Sequence, residues 1–98
     1  MKQETIAIAL VQVECLIPMA QSLKQKRSVV KSSIERLRKR FNASVVESGY
    51  QDKWQRCLIS CCAISTDRAQ LQSLPDKMQA ILNENHELQV CEMRLTWL

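Results

Sequence analysis

The chain predicts an α+β domain of order βαββαβ, with two helices on one face of a four-stranded antiparallel sheet. Three observations point there. Two long segments carry apolar residues at helical spacing. Four shorter segments are rich in β-branched and aliphatic residues with alternating polarity. The two kinds of segment succeed one another in that order. The chain of 98 residues suits a single domain, 1–98, with one modest core. A hydrophobic share of 46% sets it apart from disordered chains.

The first strand is predicted over Thr5 to Ile17, a β-branched and aliphatic run closed by Pro18. Ser22 then opens a helix, and Gln25, three residues on, completes a capping box. Leu23, Val30, Ile34, Leu37 and Phe41 follow at spacings of seven, four, three and four, which is one stripe of that helix. Asn42 ends it. Ala43 to Ser48 reads as strand two, Gly49-Tyr50-Gln51-Asp52 as a turn and Trp54 to Ile64 as strand three, so these strands form a hairpin. Thr66 or Asp67 caps a second helix that runs to about Asn85, with Leu71, Leu74, Met78, Ile81 and Leu82 as its stripe. Pro75 sits inside it, where it removes a hydrogen bond and clashes with the preceding turn. The stripe keeps phase across Pro75. That predicts a kink, or a short first segment with Pro75 near the start of the second. Leu88 to Trp97 is the last strand. This order is that of the ferredoxin-like sandwich.

Strand parity assigns the faces. Ala7, Ala9, Val11, Val13 and Cys15 share one face of strand one, Cys57, Ile59, Cys61 and Ala63 one face of strand three, and Cys91, Met93, Leu95 and Trp97 one face of strand four. All are expected to look inward, so four of the five cysteines become small core residues and Cys62 alone points away. The opposite face mixes Gln12, Glu14, Arg56, Ser60, Glu92, Arg94 and Thr96 with Ile6, Ile8, Leu10 and Leu58. A face half polar and half apolar suggests a partner, and a homodimer through the sheet face is one expectation.

Charge is concentrated in the first helix. Ser22 to Phe41 holds eight of the fourteen Lys and Arg residues and one acid, Glu35, for a net +7, while the remainder carries −3. A basic element on a mildly acidic body is what a polyanion-binding surface requires. Turning the helix at about 100° per residue lines up Lys24, Arg27, Lys31 and Arg38 along one flank, with Lys26, Arg36 and Arg40 on the other. The row extends over ~21 Å, enough to follow several phosphates. Lys24, Lys26 and Arg27 lie in or near the first turn, where the helix dipole disfavours each exposed cation by ~0.3–1 kcal/mol. A helix shaped only for stability would not place them there. Trp54 and Arg56 share the exposed parity at the start of strand three, an arrangement able to stack a base. With four aromatics in the whole chain, strand-face aromatic readout of single-stranded RNA is not expected. Backbone or shape recognition of structured RNA fits better.

Four segments carry a family resemblance: SLKQKR at 22–27, VVKS at 29–32, RLRKRFNASV at 36–45 and DKWQR at 52–56. Together they resemble the signature of the YlxP-like family of small bacterial domains of unknown function. The resemblance implies a ferredoxin-like fold, in agreement with the element order. Genes of that family often lie beside those for ribosome maturation and translation initiation factors, which implies a role near the ribosome.

Several classes are excluded. One Gly leaves no phosphate-cradling loop or dinucleotide fingerprint. The single His, His86, stands in a polar segment with no candidate nucleophile close in sequence. Cys15, Cys57, Cys61, Cys62 and Cys91 show neither CxxC spacing nor a nearby His, so no metal site is expected. Neither a secretory signal nor a membrane span is present, and free thiols suit the cytoplasm. The sequence thus reads as a small cytoplasmic, non-enzymatic protein without a cofactor. It would bind structured, ribosomal RNA through Lys24, Lys26, Arg27, Lys31 and Arg38, with Arg56 in support. The alternative is a homo-oligomeric interaction module with no nucleic-acid binding, whose basic helix meets an acidic protein surface.

Overall fold

The centre of the sheet is a pair of ten-residue strands, β1 (Ala7–Leu16) and β3 (Arg56–Ser65), in a computed structural model that describes residues 5–98. They run antiparallel and in unbroken register from Ala7 opposite Ser65 to Leu16 opposite Arg56. Strand β2 (Ser44–Gly49) flanks β3, and β4 (Gln89–Trp97) flanks β1, giving the antiparallel order β2-β3-β1-β4. Helix α1 (Leu23–Arg40) and the shorter α2 (Arg68–Gln72) and α3 (Leu74–Leu82) lie on one face. This is the predicted ferredoxin-like α+β sandwich. Residues 1–4 of the predicted domain fall outside the described residues.

The alternation in β1 and β3 explains the layering. Ala9, Val11, Val13 and Cys15 on β1, and Cys57, Ile59 and Cys61 on β3, are fully buried. Most of these side chains are small. The bulk that fills the gap comes from the helices: Val30, Ile34 and Leu37 from α1, Leu71 from α2, Met78 and Leu82 from α3. Each fully buried side chain of that size contributes roughly 1.5–3 kcal/mol relative to exposure.

The Ser22 hydroxyl accepts from the Gln25 N–H at 3.1 Å, as expected of an N-cap. The Gln25 side chain reaches one residue beyond the cap, accepting from the Gln21 N–H at 2.6 Å. The helix closes at Phe41, whose N–H donates to the Leu37 carbonyl at 3.0 Å. Pro75 divides the second helical region in the second of the two ways predicted. The Asp67 carboxylate caps α2 by accepting from Ala69 and Gln70, and α3 then starts with Pro75 in its first turn, where no N–H is needed. The region ends at Leu82, short of the expected Asn85.

Two bulges interrupt the sheet, and the first changes the parity read from sequence. At Glu14/Cys15 the register against β4 shifts, so that Glu14 faces Glu92 but Cys15 faces Val90. Cys91 is the extra residue and is exposed, while Val90 takes the inward position expected of it. Three cysteines, not four, therefore line the core. A bulge inserts one residue against the ladder, and alternation alone cannot reveal it. The second bulge, at Glu47/Gly49, leads into a turn where Tyr50 takes the left-handed conformation with φ 58°. Trp54 belongs to the following loop and not to β3, and its side chain is exposed.

Candidate nucleic-acid interface

Helix α1 is amphipathic, so burying its stripe against the sheet leaves two polar flanks. Lys24, Arg27, Lys31 and Arg38 are all exposed, and none enters an ion pair among the described residues. Arg27, Lys31 and Arg38 wall an open groove of about 410 Å³ between α1 and β2, together with Glu35 and Val46. The Arg38 guanidinium donates to the Val45 carbonyl at 2.6 Å. That bond holds its position against the sheet edge while other N–H donors of the fork remain to face solvent. The opposite flank is different. Arg36 and Arg40 converge on Glu84, beyond the end of α3, at 3.7 and 3.8 Å. Exposed pairs of this kind stabilise little, but they offset the charge on that flank.

Lys26 does not stand with the row. Its side chain is 0% exposed, with Nζ 2.5 Å from a Glu47 carboxylate oxygen and donating to the Tyr50 carbonyl at 2.8 Å. No phosphate reaches it from outside. Lys26 sits three residues after Leu23 and four before Val30, so the helical period places it on the buried stripe, and its ammonium is satisfied by the β2–β3 hairpin. The sequence spacing held that signal. Its partners did not show, because Glu47 and Tyr50 arrive from another element.

Arg56 lies on the far side of the sheet from α1. It pairs with Glu14, lies over the Tyr50 ring at 4.2 Å and donates to the Tyr50 hydroxyl at 3.3 Å. The Glu14 bond raises its already high pKa. Its aromatic neighbour is thus Tyr50 and not Trp54. The row on α1 and Arg56 address different directions, so one flat ligand surface does not touch both. That open face also carries a polar ladder, in which the Gln12 amide donates to Ser60 at 3.3 Å and Ser60 bonds Ser48 at 2.6 Å. Ile8, Leu10 and Leu58 are partly covered there.

The buried thiols are packing groups. Cys15 and Cys57 face each other across β1 and β3. The hydrogen bond with Cys57, followed by burial, pushes the Cys15 thiol up, and burial raises Cys61 to about 11. Neither is a thiolate at neutral pH. Among the described residues no three His, Cys, Asp or Glu side chains converge, and no helix is long and apolar enough to cross a membrane.

Comparison with known proteins shows the family and the fold. The chain matches "Uncharacterized protein YlxP" of Bacillus subtilis (strain 168) with 36% identity over 90 residues, covering 92% of this chain and 98% of that protein. Among solved structures, it superposes on part of Bacillus subtilis YXEP, described as a dinuclear metal binding peptidase from the M20 family. The TM-score is 0.56 and the identity 10%, over 95% of this chain but only 26% of the peptidase. That similarity shows the fold alone. The family model "Protein of unknown function (DUF503)" matches residues 8–95, and the chain belongs to that family.

Proposed function

We propose that this protein is a small non-enzymatic accessory factor that binds structured RNA, most simply ribosomal RNA, through the exposed flank of α1. One observation carries the reading: Lys24, Arg27, Lys31 and Arg38 are exposed along one flank of the helix and none enters an ion pair among the described residues, while Arg36 and Arg40 on the other flank share Glu84. Phosphates seated on the row release condensed counterions, which is the usual driving force of such binding. Lys26 acts as a brace, tying α1 to the β2–β3 hairpin and so fixing the row's direction. Strand β2, which lies beside the row, carries no aromatic side chain, which favours recognition of backbone and shape over base sequence. The association of the family's genes with ribosome maturation and translation initiation supports a ribosomal target, and a cytoplasmic site of action follows from it.

Co-sedimentation with ribosomal subunits at two salt concentrations tests the reading. The wild type is expected to pellet with a subunit at low salt and to be released at high salt. A folded Lys24/Arg27/Lys31/Arg38→Glu variant is expected to stay in the supernatant, and an Arg36/Arg40→Glu control to bind nearly as the wild type does. No pelleting at either salt, or equal loss in both variants, contradicts it.

A further inference from the structure

The two edges of the sheet are finished differently. On β2 the Val45 carbonyl accepts from Arg38 and the Glu47 carbonyl accepts from the Gln51 amide at 2.9 Å. On β4, among the described residues, no group outside the β1–β4 ladder bonds the backbone of Met93, Leu95 or Trp97. The direction of those backbone groups follows from the ladder. The Leu98 N–H donates to the Ile8 carbonyl at 2.9 Å. Bonding direction alternates along an antiparallel strand, so Thr96, Arg94 and Glu92 also address β1, and Trp97, Leu95 and Met93 present their N–H and C=O groups outward. The side chains of those three are only half covered. A free edge of this kind is a template for another strand.

We propose that the occupant is β4 of a second copy, paired antiparallel about a twofold axis at Met93. Charge selects the register. With Met93 opposite its counterpart, Glu92 of each copy lies opposite Arg94 of the other, giving two complementary pairs. Pairing about Arg94 sets Arg94 against Arg94, and pairing about Glu92 sets Glu92 against Glu92. Like charges directly opposite destabilise a sheet. Pairing about Leu95 leaves both charges opposite uncharged residues. Glu92 has a further reason to seek a cation, because Glu14 stands directly opposite it on β1. Within one copy Arg94 approaches Glu92 at 3.5 Å, with both side chains about two-thirds exposed and available to a neighbour. On the helix-covered side, the pairing sets Met93 against Met93.

The result is a continuous eight-stranded sheet with β2 at both outer edges. Seven strand spacings then separate the two β2 strands by ~34 Å, with one basic row near each end. The pairing stands independently of whether those rows bind RNA.

Sedimentation equilibrium on the full chain tests it. The wild type is expected to dimerise. E92R and R94E are each expected to weaken the dimer roughly tenfold or more, since each replaces two attractive pairs by two repulsive ones. The double variant E92R/R94E is expected to recover wild-type association, which a merely disruptive substitution would not do. Circular dichroism confirms that each variant folds. A wild type still monomeric at roughly millimolar concentration overturns the proposal. So does a dimer that ignores both single swaps but falls apart on Ile8→Glu, which would place the interface on the open sheet face.

Discussion

Strands β2 and β4 hold equivalent places at the two ends of one sheet, and the chain treats them in opposite ways. The β2 edge is drawn into the molecule. Arg38 and Gln51 occupy its outward carbonyls, and the buried Lys26–Glu47 pair ties the strand to α1. The β4 edge keeps its backbone groups outward and its inner side chains half covered. Arg38 has two parts at the first edge: it covers an outward carbonyl, and it belongs to the row proposed to face a polyanion. At the second edge Glu92 and Arg94 set opposite charges two residues apart on the strand, which discourages unspecific pairing while permitting one self-complementary register. The difference underlies the separate tasks proposed for the two ends of the molecule.

The largest effect that sharpens this contrast is expected at Glu47. Glu47→Ala leaves the Lys26 ammonium buried without its counter-charge, and urea unfolding should show a loss of about 3–5 kcal/mol. Lys26→Met, which removes the charge and keeps most of the volume, should cost well under half of that. A small effect of Glu47→Ala would mean that Lys26 reaches water and that α1 is not braced on β2.

Next comes the alkaline limit, set by the central strands and not by either edge. The Cys61 thiol, ordinarily near 9.0, is raised by burial to about 11. Between those values the unfolded chain releases a proton that the folded chain keeps, so stability falls as pH rises through pH 9 to 11. Cys61 accounts for roughly 2 kcal/mol of the loss by pH 11, beside the contribution of Cys15, whose thiol is also pushed up. Cys61→Ala, once its own cavity cost at pH 8 is subtracted, should flatten the decline. An unchanged slope would show that other groups dominate.

Smaller effects separate the two roles of the basic row. Arg38→Ala uncovers the Val45 carbonyl and should cost about 1 kcal/mol. Arg27→Ala, on the same flank without such a bond, should stay within about 0.5 kcal/mol of the wild type. Equal stability losses would remove the distinction between edge cover and ligand row. Ser22→Ala, which deletes the N-cap of α1, should cost about 1 kcal/mol in the same assay and leave association through β4 unchanged.

The fold was legible because each layer repeats a local pattern. Apolar spacing of three and four marked α1, and the proline at 75 marked the break between α2 and α3. What stayed hidden was non-local. Cys91 turns outward because a bulge between β1 and β4 shifts the register, and nothing near Cys91 in the sequence announces it. Lys26 illustrates a different limit. Its spacing already put it on the apolar stripe, yet a lysine there makes sense only when Glu47 and Tyr50 are seen to meet it. Parity rightly placed Arg56 on the open face, but only the assembled layers show that this face looks away from the basic row. Whether a cation faces solvent or an acid is decided between elements. That is why the row became distinct only after Arg36 and Arg40 were found beside Glu84.

The most direct test of the central claim is the salt dependence of binding to a structured ribosomal RNA fragment. Four phosphate contacts predict that log affinity falls against log salt concentration with a slope of roughly −3. Lys31→Gln should weaken binding and make that slope shallower by about 0.7–0.9, while Arg36→Gln should change neither appreciably. A slope near zero, or equal changes in the two variants, would contradict the assignment of this flank of α1 to RNA.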